Sequence, residues 1–62
     1  MNITYTYHCS RTGLEFRVKV EDAVTVKDEP YPPGGMLRVV RNEQGQAIAG
    51  PLVSELTSWV ET

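Results

Sequence analysis

The chain has 62 residues, 40% of them hydrophobic and 23% charged, a length that supports one small hydrophobic core, so residues 1–62 are read as a single domain. A net charge of −2 with six dispersed Lys and Arg residues lacks the clustered basic face that displaces counterions from nucleic acid. One cysteine excludes an internal disulfide and one histidine leaves metal chemistry short of ligands, so neither a metal nor any other cofactor is expected.

No apolar run approaches the length of a bilayer span, so no membrane association is expected. The first twenty residues alternate polar and apolar instead of forming a signal-peptide core. The cytoplasm is the expected compartment.

Residues 2–9 place Ile3, Tyr5, Tyr7 and Cys9 on one parity and Asn2, Thr4, Thr6 and His8 on the other, the pattern of a half-buried strand. Residues 14–21 repeat it, with Leu14, Phe16, Val18 and Val20 set against Glu15, Arg17, Lys19 and Glu21. An antiparallel pair must bring both apolar sets to one face. Pairing Cys9 with Leu14 does so, and carries Tyr7 to Phe16, Tyr5 to Val18 and Ile3 to Val20. A four-residue loop over Ser10-Arg11-Thr12-Gly13, with Gly13 at positive φ, keeps that parity, as does a two-residue loop on Arg11-Thr12.

Glu21-Asp22-Ala23 breaks the alternation and predicts a bend, after which Val24–Lys27 reads as a short third strand. Asp28–Gly35 holds three prolines, which remove backbone donors, and is expected to be an exposed loop. Met36–Arg41 returns to strand character. Asn42-Glu43-Gln44-Gly45 carries turn chemistry and Gln46–Ala49 forms the returning strand of a second hairpin. From Gly50 onward, a candidate cap, Pro51, and the spacing of Leu52, Leu56, Trp59 and Val60 predict a C-terminal helix. The expected fold is therefore α+β: a small antiparallel sheet of four to five strands, built from hairpins 2–21 and 36–49, with one helix packed on it. The sheet could close into a partly open barrel.

Chemistry is sparse. His8 and Cys9 are adjacent on a strand and point to opposite faces, so they cannot converge on one atom; Cys9 is expected to be a small buried hydrophobe. The acidic pairs Glu21-Asp22 and Asp28-Glu29 are expected at turns, as solvated groups. No nucleophile elbow or phosphate-cradling loop appears, and the chain is not expected to be an enzyme.

Tyr5, Tyr7, Cys9, Thr12-Gly13 and Phe16 together resemble the opening of the small FmdB-type zinc ribbons, with their paired tyrosines, Cys-x-x-Cys-Gly knuckle and following phenylalanine. Thr12 stands where those ribbons have the second thiolate, and no downstream Cys-x-x-Cys follows. The resemblance covers twelve residues and implies a metal-free hairpin of similar shape.

Tyr31, in its proline- and glycine-rich setting, is either an aromatic anchor for a partner's pocket or a lid folded over one end of the core, and Met36 belongs to whichever arrangement holds. The candidate partner-binding residues are Tyr31, Pro32, Pro33 and Met36. The expected function is a small non-catalytic protein-interaction module or regulatory adaptor, with a protein partner and possible homo-oligomerisation through exposed edge strands. The alternative is a nucleic-acid or transcription-associated accessory protein using Arg11, Arg17 and Lys19, whose field the neighbouring Glu15 and Glu21 largely cancel.

Overall fold

The computed structural model describes residues 1–62. Six strands follow one another: β1 (Ile3–His8), β2 (Glu15–Val20), β3 (Thr25–Tyr31), β4 (Gly35–Arg41), β5 (Ala47–Ala49) and, after one turn of 3-10 helix at Val53–Glu55, β6 (Leu56–Glu61). They form two three-stranded antiparallel sheets, ordered β2-β1-β6 and β3-β4-β5. The fold is nearly all β, and no helix is long and apolar enough to cross a membrane.

The first hairpin has the register that parity demands. Ile3 faces Val20, Tyr5 faces Val18 and Tyr7 faces Phe16. The Cys9 amide donates to the Leu14 carbonyl at 2.8 Å and the Gly13 amide to the Cys9 carbonyl at 2.8 Å, closing the four-residue loop. Gly13 sits at φ 75°, where a side chain would be strained. Asp22 makes the expected bend, at φ 64°, a left-handed conformation that aspartate tolerates.

The C-terminal helix is not formed, and the α+β expectation is corrected to an all-β fold. Residues 56–61 are a strand that pairs with β1, so that Tyr5 faces Trp59 and Thr6 faces Ser58, whereas Tyr7 faces Leu56. Thr57 is thus an extra residue, a β-bulge. A bulge shifts side-chain parity by one, so Leu56 and Trp59, three apart, both turn inward on a strand. That spacing of three is what reads as helical in the sequence. Val60, which the helical stripe would bury, is 53% exposed. The strand also makes β1 central, supplying partners for backbone groups that a helix would leave at an open edge.

The third strand is longer than its sequence pattern suggests. Asp28–Tyr31 pairs with Gly35–Arg38 in continuation of β3, so only Pro32, Pro33 and Gly34 form the tip of a tight hairpin. Pro30 is tolerated because β3 is an edge strand, where a missing N–H costs no ladder bond.

The two sheets face each other across a core of Ile3, Tyr5, Val20, Ala23 and Val40, joined by half-buried Tyr7, Val18, Val26, Ala49, Leu56 and Trp59. Packing is tight at the Ile3, Val20 and Val40 end and loosens toward Tyr7 and Phe16, the latter 41% exposed. Gly50 to Leu52 runs on along β4, with the Arg38 amide donating to the Pro51 carbonyl at 2.9 Å and a bridge between Leu37 and Leu52.

Candidate interaction surface

Tyr31 and Met36 flank the tip of the β3–β4 hairpin on its opposite faces, Tyr31 paired with Gly35 and Met36 with Pro30. Tyr31 is 49% exposed and Met36 41% exposed, both outside the core, and Pro32 and Pro33 are exposed between them. Gly34 turns the chain at φ 132°, a region open to glycine. The Tyr31 ring and the Leu52 side chain both lie within 4.0 Å of the point where a β-carbon on Gly35 would stand, so the tip abuts the segment that follows β5.

Below the tip the hairpin is braced by two ion pairs. Arg38 donates through Nε to Asp28 Oδ1 at 2.9 Å and through Nη2 to Oδ2 at 3.3 Å, a two-pronged contact between residues directly opposite in register. Arg41 donates through Nη1 to Glu29 Oε2 at 2.7 Å. That second pair reaches past the intervening Lys27 and Val39 positions on the same face of the sheet, and Val39 beneath it is 8% exposed. The Asp28-Glu29 pair, expected at a turn, therefore lies in a strand. Its arginine partners sit in the very next strand, but only a register running through the prolines reveals them.

Hydrogen bonding from Arg38 holds the Asp28 carboxyl below its ordinary pKa, and bonding from Arg41 does the same for Glu29. A depressed folded-state pKa means stability present above the unfolded value and lost as pH falls through the folded one. The thermal midpoint is therefore expected to fall once the pH drops below about 4. The double variant D28N/E29Q should start lower at neutral pH and decline less steeply in acid. An acid profile parallel to that of the native protein would show that these pairs do not set the acid limit.

Compared with family models, curated proteins and solved structures, the chain matches none. The surface must be read from its own chemistry.

Beside the hairpin the sheets part into an open cleft of about 370 Å³ lined by Tyr5, Tyr7, Val18, Gly50, Pro51, Leu52 and Glu55. An aromatic row forms its wall. Phe16 stacks on Tyr7 with ring centres 5.3 Å apart, Tyr7 meets Tyr5 at 6.2 Å, and Tyr5 stacks on Trp59 at 5.2 Å. Burial, with a smaller contribution from the neighbouring Tyr7, raises the pKa of the Tyr5 hydroxyl, so the ring stays a neutral donor. The Arg38 guanidinium lies 5.0 Å from the centre of the Trp59 ring, a cation–π contact that ties the second sheet to this row. Glu55 accepts bonds from both the amide and the hydroxyl of Ser10, fixing one carboxylate at the rim. The sequence pattern does not reveal the cleft, because it depends on β6 and on where residues 50–55 lie.

His8 is exposed and Cys9 half-buried, so the cysteine is less enclosed than its parity implies. The Thr12 side chain, then the Thr12 and Arg11 amides, lower the Cys9 thiol pKa by hydrogen bonding at the turn. No set of three or more His, Cys, Asp or Glu side chains is arranged to hold a metal ion.

Proposed function

We propose that the chain is a non-catalytic protein-interaction module, a small adaptor that takes hold of a partner protein through the β3–β4 tip. The observation that carries this reading is the exposure of Tyr31, and of Met36 on the opposite face, at the end of a hairpin braced by the Asp28–Arg38 and Glu29–Arg41 pairs. Two large apolar side chains outside the core cost solvation without stabilising the fold, and a braced backbone means little ordering entropy on binding. Leu52 beside Tyr31 extends the same apolar surface toward the cleft.

Charge points the same way. Two of the six basic side chains, Arg38 and Arg41, are engaged by carboxylates, while Arg17 and Lys19 alternate with Glu15 on β2 and Glu21 just after it. Such a surface offers a polyanion little net attraction.

Tyr31→Ala separates an anchor from a structural residue. The variant is expected to lose less than about 1 kcal/mol of folding stability, while capture of the partner weakens by about 2 kcal/mol or more. Thermal unfolding is measured first, and the variant and native chain are then compared as baits in lysate of the native host. A fall in melting temperature of many degrees would place Tyr31 in the fold's support. Identical partners at identical yield would move the function away from the tip.

A further inference from the structure

Two sheets with open ends have four edge strands, and exposed edges recruit further strands unless they are guarded. Three of the four are guarded. β3 carries Pro30 and lacks that N–H, β5 is three residues long, and β6 is bent by the Thr57 bulge. β2 is six residues long and has no proline, glycine or bulge. Leu14, just before it, is 58% exposed and Phe16 within it 41% exposed, both on the cleft side.

The backbone phase of that edge is fixed. The Cys9 amide bonds the Leu14 carbonyl, and Phe16, Val18 and Val20 follow in the same phase, so their backbone groups point to β1. Glu15, Arg17 and Lys19 turn theirs outward. An added antiparallel strand must bond to those residues, and their side chains on the solvent face meet the newcomer's directly.

We propose that β2 pairs antiparallel with β2 of a second copy of this chain, on a two-fold axis through Phe16. The charges choose both occupant and register. With the axis at Phe16, each Glu15 faces the other copy's Arg17, giving two opposite-charge pairs and no like-charge pair. An axis at Arg17 sets Arg17 against itself, and one at Lys19 sets Lys19 against itself. An axis at Val18 opposes Glu15 to Glu21 and Arg17 to Lys19, every charge pair repulsive. The selected register is self-complementary, as an isologous interface requires. On the cleft side it brings Phe16 against Phe16 in a close, non-hydrogen-bonded pair and Leu14 against Val18. The exposed apolar side chains of β2 are then covered, and the two sheets join into one of six strands. Tyr31 belongs to the other sheet, which leaves the hairpin tips free on both copies.

Sedimentation equilibrium of the native chain should show a monomer–dimer equilibrium that weakens with salt. E15R and R17E, each alone, place like charges opposite each other and should raise the dissociation constant about tenfold or more. The double reversal E15R/R17E should restore the native value, and Tyr31→Ala should leave it unchanged. The register is read by oxidation: in a Cys9→Ser background, Phe16→Cys should form a covalent dimer, since residues paired on the axis lie within disulfide reach, and Val18→Cys should not. A native chain still monomeric at about 1 mM, corresponding to roughly 4 kcal/mol of association, would overturn the proposal. So would a double reversal that stays dissociated, or a Val18→Cys variant that cross-links more readily than Phe16→Cys.

Discussion

Ile3→Ala is expected to leave the chain largely unfolded at room temperature. Ile3 is fully buried, and it sits where β1 is flanked by both β2 and β6, opposite Val20 and Glu61. Removing three carbons from such a site costs about 2–5 kcal/mol, in lost transfer energy and an unfilled cavity. A single core in a chain of this length rarely supplies more than about 3–5 kcal/mol. Only six residues are buried, and five of them form one cluster, so no second core can hold the sheets together once this one is opened. Ile3→Val, which deletes one methyl group, should cost about 1 kcal/mol and stay folded. Urea titrations at one fixed protein concentration decide the matter, because self-association would otherwise shift the midpoints. A midpoint for Ile3→Ala equal to that of Ile3→Val would mean that the site collapses around the smaller side chain and that the core is not organised about Ile3.

Residues 1–23 are legible in the sequence because strand alternation and loop parity together allow few registers. Once Ile3, Tyr5 and Tyr7 must share a face with Phe16, Val18 and Val20, the choice is nearly forced, and Gly13 closes the turn. The end of the chain is not legible, for a reason that one residue explains. The bulge at Thr57 converts a strand's period of two into a local spacing of three, and Gly50-Pro51 ahead of it imitates a helix start. Whether β1 has one neighbour or two is a tertiary fact that local patterns do not carry.

The prolines hide the β3–β4 hairpin in a different way. Three prolines in four residues argue against a central strand, which β3 is not; they say nothing against an edge strand ending in a tight tip. Tyr31 and Met36 can therefore be singled out by residue type. The ion pairs that brace them, and the cleft beside them, require the register.

Trp59→Ala should cost about 3 kcal/mol, the lower end of the range for truncating a large aromatic, since Trp59 is half-buried. Its effect is expected to spread across both sheets. Trp59 stacks on Tyr5 at 5.2 Å, lies under the Arg38 guanidinium at 5.0 Å, and donates its indole N–H to Glu61 Oε2 at 2.8 Å. Losing the ring removes the platform of Arg38, the same side chain that braces the Tyr31 hairpin through Asp28. Trp59→Phe keeps a stacked face for Tyr5 and for the guanidinium and gives up the bond to Glu61, which is exposed and worth little. It should therefore recover more than half of the loss. Glu61→Ala removes the acceptor of that bond and should change stability by less than about 0.5 kcal/mol. Chemical denaturation of the three variants orders them, and the order carries the argument. If Trp59→Phe were as damaging as Trp59→Ala, the indole N–H would matter more than the stack, and Glu61→Ala would then have to show an equal loss. If Trp59→Ala were nearly neutral, β6 would not be docked on β1 through this ring, and the aromatic row would end at Tyr5.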